Sequence, residues 1–162
     1  MRIVSFVGVS DSGKTRLVMR LVEEFNRRGL QTGVIKHCHQ GFDLDLEGKD
    51  SSRFWDKGAA GVALLSPSRW AVIKRIPPEK SAAELAKQVF ADQDVVLVEG
   101  GKHDRDIPMI AVERPGRRGR ISLDPTELAA VVCEEDLSLG RPVFHPDQIQ
   151  ALADFILNEV ET

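Results

Sequence analysis

The sequence predicts an α/β domain of three layers, α/β/α, with a mostly parallel central sheet and a β-hairpin insertion. Three observations predict it. The apolar run Ile3 to Val7 leads through a glycine-bounded turn into apolar positions at helical spacing. A second short apolar run, Gly33-Val34-Ile35, follows that helix, and such strand–helix–strand units pair in parallel through a right-handed crossover. Finally, Val95-Val96-Leu97-Val98 is apolar at every position, the pattern of a strand covered on both faces.

Each element has its own signal. In the first helix Leu17, Leu21, Val22 and Phe25 share one face, and Arg27-Arg28-Gly29 gives a basic last turn with a glycine stop. The strand at Gly33-Val34-Ile35 ends at Lys36-His37, and His39 to Asp50 reads as a polar loop at its carboxyl end, where open α/β sheets bind ligands. A short helix is expected over Ser51 to Lys57. Val62 to Leu65 and Trp70 to Ile73, joined by Ser-Pro-Ser-Arg, read as a hairpin. Pro77-Pro78 breaks the chain before a helix expected near Glu79 to Phe90. Further strands are expected at Met109 to Val112, Ala129 to Val132 and Pro142 to Phe144. A last helix begins near Asp147, with Ile149, Leu152, Ile156 and Val160 on its apolar face.

Composition narrows the function. The 162 residues are one domain's worth, 1–162, and carry 22 Lys and Arg against 25 Asp and Glu, a formal charge of −3. That balance argues against a nucleic-acid or membrane-surface role. No stretch approaches the roughly 18 apolar residues of a membrane span, and the amino terminus runs straight into a strand with no signal segment. Cys38 and Cys133, the only cysteines, read as free thiols of a reducing compartment, so a cytoplasmic location is expected.

Residues Gly8-Val9-Ser10-Asp11-Ser12-Gly13-Lys14-Thr15 spell a phosphate-binding loop between a strand and a helix, the context such a loop requires. Gly8 and Gly13 let successive N–H groups converge on one phosphate, while the helix that follows aims its positive end there. Ser10, Asp11, Ser12 and Arg16 belong to the same expected binding stretch. Lys14 supplies charge to the β- and γ-phosphates and Thr15 a hydroxyl to Mg²⁺. An acid at the end of a buried strand completes such a metal site, and Glu99, beside Gly100-Gly101, occupies that position.

Other clusters are less specific. Asp43, Asp45, Lys49 and Asp50 suit a loop facing metal and phosphate, and equally a solvated acidic loop. His37-Cys38-His39 cannot close a tetrahedral metal site, since three adjacent residues do not converge and no second cluster follows. A phosphate-facing role for Lys36 or His37 is the simpler expectation. Arg114, Arg117, Arg118 and Arg120 form a basic loop suited to an anionic ligand or partner, or to solvent.

Together the segments GVSDSGKT at 8–15, GVIKHCHQGFDLDLEGKDSSRF at 33–54, GAAG at 58–61, VVLVEGGK at 95–102 and AVVCEED at 130–136 resemble the molybdopterin-guanine dinucleotide biosynthesis protein B (MobB) family. The likeness extends into the terminal helix and covers nearly the whole chain. It implies a P-loop NTPase-like fold and a GTP-binding adapter in molybdenum-cofactor maturation, with at most slow GTP hydrolysis. The resemblance also implies a homodimer and partnership with a MobA-type nucleotidyltransferase and the molybdopterin cofactor.

Carried over by motif, Gly13, Lys14 and Thr15 bind phosphate and Mg²⁺, Glu99 stands near the metal, and Asp43, Asp45, Lys49 and Asp50 line the same cleft. The segment Cys133 to Asp136 stands where a base-contacting loop is expected, without the Asn-Lys-x-Asp pattern of common GTPases. The chain departs from the family at Asp11, where glycine is frequent, and at Gln40-Gly41, where His and Asp are usual. The alternative reading is a small-molecule kinase or an ATP-dependent ligase resembling dethiobiotin synthetase, which shares the strand-end Glu99-Gly100-Gly101. A switch that changes partners on GTP cleavage is a third reading; it needs loops ordered by the γ-phosphate, and Asp43 to Asp50 is the candidate.

Overall fold

The computed structural model describes residues 1–42, 49–75, 80–114, 124–135 and 140–160. It divides into two compact units, one formed by Met1–His37 with Ser81–Thr162, the other by Cys38–Lys80.

The larger unit is built on a six-stranded sheet. In chain order its strands are β1 (Arg2–Val7), β2 (Thr32–Lys36), β5 (Val95–Glu99), β6 (Met109–Val112), β7 (Leu128–Val132) and β8 (Val143–Phe144). The smaller unit supplies β3 (Gly61–Leu65) and β4 (Trp70–Lys74). The large sheet runs β2-β5-β1-β6-β7-β8, and every pairing in it is parallel. Val95 to Val98 are 0% exposed, as their unbroken apolar run requires of a strand with neighbours on both sides and helices on both faces.

Helices α1 (Lys14–Arg27) and α4 (Ile149–Asn158) cover one face. There Leu17, Leu21, Phe25, Leu152 and Ile156 close over Val4, Phe6, Leu97, Ile110 and Val132. On the opposite face α3 (Ala82–Val89) lays Ala82, Ala83 and Ala86 against Ile3, Ile35, Val96 and Val98. The fully buried side chains of α3 are alanines, with Leu85 partly buried against the same cluster.

The expected elements are present, with shifted ends. Helix α3 starts later than Glu79, a position outside the described residues. Its start is fixed by Ser81, whose hydroxyl accepts from the Glu84 N–H while the Glu84 carboxylate accepts from the Ser81 N–H. Helix α4 starts at Ile149 rather than near Asp147, because Gln148 turns its side-chain oxygen back to the His145 N–H. Val160 is buried, although it lies beyond the helix. A 3₁₀ turn at Pro125–Glu127, capped by Asp124, leads into β7.

In the smaller unit, α2 (Asp50–Asp56) precedes the antiparallel pair β3 and β4. Ser66 closes the hairpin by bonding Arg69 through both main chain and hydroxyl. The Arg75 guanidinium lies 4.2 Å from the centre of a Trp55 ring.

Candidate functional site

The phosphate loop follows β1 at the middle of the sheet. Of its two flanking strands, β5 connects back toward β2 and β6 opens the other half, so the loop sits where the strand order reverses. Gly8 is required by crowding: a Cβ there would stand 2.5 Å from the Val112 carbonyl oxygen and 2.7 Å from Ser12 Oγ. Gly13 adopts φ 100°, a left-handed conformation, and caps α1 with no side chain over the first turn. The leading N–H groups of α1 therefore face the loop's hollow with no side-chain cap.

Asp11 also takes a positive φ, 57°, in the left-handed region. Asp and Asn tolerate that region better than other side chains.

Lys14 folds back over the loop and donates to the carbonyls of Gly8 at 2.9 Å and Val9 at 2.6 Å. Burial lowers its pKa below the ordinary lysine value, assisted by Lys36 and opposed by the charges of Glu99 and Asp11. An anion in the hollow would supply the charge partner that burial calls for. One residue on, the Thr15 hydroxyl donates to Glu99 Oε1 at 2.6 Å, and Lys36 Nζ lies 3.6 Å from the same oxygen. Hydroxyl, carboxylate and ammonium thus meet at the carboxyl ends of β2 and β5.

These groups open into a cleft of about 810 Å³. Its lining includes Ser10 to Arg16 of the loop, Lys36 and Glu99, then Glu113 and Arg114 after β6, Glu134 after β7, and His145 to Asp147 after β8. The size suits a nucleotide-scale ligand. Arg20 of α1 holds the far wall by donating to the Pro146 carbonyl at 2.8 Å and to Asp147 Oδ1 at 3.0 Å.

Of the residues expected from sequence, the structure brings together Ser10, Asp11, Ser12, Gly13, Lys14, Thr15, Arg16, Lys36 and Glu99. Gly8 shapes the loop from beneath. His37 points elsewhere: its Nε2 faces Asp104 Oδ2 at 3.0 Å, both atoms shielded from solvent and not aligned as a hydrogen bond. A Cβ on Gly101 would strike both side chains, so that glycine makes room for the pair. Asp43 and Asp45 lie outside the described residues, as do Arg117, Arg118, Arg120 and Asp136. Lys49 and Asp50 belong to the smaller unit, where Lys49 precedes α2 and Asp50 opens it, 3.8 Å from Arg53. Among the described residues no three His, Cys, Asp or Glu side chains gather as a metal cluster.

Sequence reasoning missed Asp104, Arg20, Glu113 and His145 to Asp147. Most of the last group was findable, because ligands in such sheets gather beyond the carboxyl ends of all the strands and not only the first. Arg20 carried no such signal, since its role depends on where α4 docks.

The family model "Molybdopterin guanine dinucleotide synthesis protein B" (MobB) matches residues 3–134. The chain is 34% identical over 157 residues to the molybdopterin-guanine dinucleotide biosynthesis adapter protein of Haemophilus influenzae, covering 96% of this chain and 88% of that one. It is 34% identical over 167 residues to the Escherichia coli adapter protein of the same name, covering 96% and 91%. Among solved structures, a crystal structure of molybdopterin-guanine biosynthesis protein B superposes with a TM-score of 0.71 at 28% identity, over 96% of this chain and 97% of that one. Bacillus subtilis MobB has the same fold, with a TM-score of 0.72 at 24% identity and 99% coverage of both chains. A phosphate loop completed by a strand-end carboxylate, a sheet shared with solved MobB structures and a family match over residues 3–134 lead to one assignment: the chain belongs to the MobB family.

Proposed function

We propose that this protein is the GTP-binding adapter of molybdopterin guanine dinucleotide synthesis, acting beside a MobA-type nucleotidyltransferase that performs the transfer itself. The observation that carries the reading is the cleft's phosphate end: the start of α1 without a side-chain cap, Lys14, and the Thr15–Glu99 pair. Family membership and the relatives' names support the pathway.

Magnesium fits the donors present. Thr15 Oγ1 and Glu99 Oε1 are hard oxygens already 2.6 Å apart, and Mg²⁺ is ordinarily held by one or two such groups together with phosphate oxygens and water. When bound, the ion would neutralise charge between the β- and γ-phosphates. Lys14 would leave the loop carbonyls for the phosphates, Lys36 would hold Glu99 in place, and the α1 N-terminus would bind without moving. These groups bind a triphosphate, and GTP hydrolysis is accordingly proposed to be slow.

The protein is proposed to work as a homodimer in the cytoplasm. Leu65, Trp70 and Val72 of the β3–β4 hairpin are exposed, and apolar side chains grouped on a small two-stranded sheet support contact with another chain. No helix among the described residues is long and apolar enough to cross a membrane.

Retention of molybdopterin and of the nucleotidyltransferase on immobilised protein, with and without GTP and Mg²⁺, tests the reading. Nucleotide-dependent retention of either is the expected result. Rapid phosphorylation of a metabolite by the purified protein, or no heat on titration with GTP in magnesium buffer, would overturn it.

A further inference from the structure

With the cleft read as a site for GTP and Mg²⁺, as proposed above, we infer that His37 and Asp104 are positioning residues for Glu99, acting from the face of the sheet opposite the ligand. Phe6, Glu99 and Lys36 are register partners on β1, β5 and β2, and Phe6 packs beneath α1, so the three side chains share the cleft face. Ser5 and His37, each one position out of phase with them, project from the opposite side. There Asp104 Oδ2 stands 3.0 Å from His37 Nε2.

What joins this pair to the metal ligand is the turn after β5. Glu99 is followed by two glycines at φ 96° and 78°, so the backbone just beyond it has no side chains of its own to fix it. The His37 side chain fills the space they leave. A Cβ on Gly100 would stand 3.1 Å from His37 Cβ, and one on Gly101 would stand 2.8 Å from both His37 Nε2 and Asp104 Oδ2. Main-chain bonds tie the same groups together: the His37 N–H donates to the Glu99 carbonyl at 2.9 Å, and the Asp104 N–H donates to the Gly101 carbonyl at 2.9 Å. The buried Ser5 hydroxyl adds a bond to the Gly100 carbonyl at 2.6 Å. Glu99 is thus held at its root on one face while its carboxylate meets Thr15 on the other.

Nε2 and Oδ2 are shielded from solvent, and neither has a hydrogen-bond partner among the described residues. Excluded from water, each has the other within reach, and their attraction resists any shift that would part ring and carboxylate across Gly101. Groups that orient a metal ligand without touching the metal are ordinarily worth about tenfold to a hundredfold in metal affinity.

The test uses His37→Leu, Asp104→Ala and His37→Gln, each with Glu99 intact and with Glu99→Gln. GTP affinity is measured in magnesium and in EDTA, manganese affinity of the GTP complex by electron paramagnetic resonance, and stability by urea unfolding. His37→Leu and Asp104→Ala are expected to lower GTP affinity in magnesium, and manganese affinity, about tenfold and to match wild type in EDTA. His37→Gln, whose amide nitrogen reaches where Nε2 stood, recovers most of the loss. In the Glu99→Gln background neither substitution lowers affinity further, a coupling that lost packing alone would not produce. Wild-type metal dependence in both variants overturns the role, as does an equal loss in EDTA, additivity with Glu99→Gln, or no recovery in His37→Gln. Asp104→Ala lies in a loop and keeps the test decisive should His37→Leu not fold. A wild type that binds no GTP, or binds it equally in magnesium and EDTA, refutes instead the proposed site.

Discussion

The Thr15 hydroxyl donates to Glu99 Oε1 at 2.6 Å across 84 positions of sequence, joining the first turn of α1 to the end of β5. Thr15→Ala and Glu99→Gln are each expected to remove the magnesium-dependent part of GTP affinity, about tenfold to a hundredfold for a bond to a charged group. Titrations in magnesium and in EDTA check this. The variants should match wild type in EDTA and fall behind only when the ion is present.

Lys14→Ala should abolish detectable GTP binding while leaving the fold intact. Two loop carbonyls lose their donor, but burial already penalises this ammonium, so unfolding stability should change by about 1 kcal/mol or less. Urea unfolding beside calorimetry separates the two effects. A variant that still binds GTP like wild type would remove the loop from the site.

Gly8→Ala places a methyl group 2.5 Å from the Val112 oxygen, a main-chain atom of the adjacent strand that cannot swing aside. The loop must move, at about 1–3 kcal/mol of stability, and phosphate affinity should fall with it. Denaturant midpoints and tripolyphosphate titration on the same sample would reveal both losses together.

Glu24 accepts from both Arg27 and Arg28, and Arg28 reaches on to Asp154 of α4. Hydrogen bonds from the two guanidinium groups hold the Glu24 pKa down at about 2, against an ordinary value of 4.5. A carboxylate whose folded pKa is depressed contributes stability that is fully present above its unfolded pKa and is lost as pH falls through the folded one. Glu24→Gln should therefore be less stable than wild type at neutral pH, with the gap shrinking between pH 4.5 and about 2. A gap independent of pH across that window would assign the loss to packing.

GTP turnover by the protein alone should be far slower than the roughly 1–100 s⁻¹ of kinases. The phosphate end of the cleft offers groups that bind charge, Lys14, Thr15 and Glu99. Multiple-turnover phosphate release measured in magnesium buffer decides the matter, and a kinase-like rate would contradict it.

Much of the site was legible because it is local. The phosphate loop, its strand and its helix are contiguous, so eight residues carry both the ligand's anchor and the context that confirms it. The start of α3 was legible too, in Ser81 and Glu84, yet Pro77-Pro78 drew the expected boundary earlier. The His37–Asp104 pair was hidden, because nothing in either residue's neighbourhood names the other.

By itself the sequence determined an α/β chain with a phosphate-binding turn after its first strand and a strand buried on both faces at Val95-Val96-Leu97-Val98. Hydrophobic period and glycine placement act over a few residues and leave their mark in the letters. Tertiary structure decided that β5 inserts between β1 and β2, which the strand–helix–strand pattern alone would have set side by side. That insertion carries Glu99 to Thr15, and the order β6-β7-β8 carries Glu134 and His145 to the other end of the cleft. Strand order follows from how whole faces pack together, a sum over distant contacts that no local run of residues encodes.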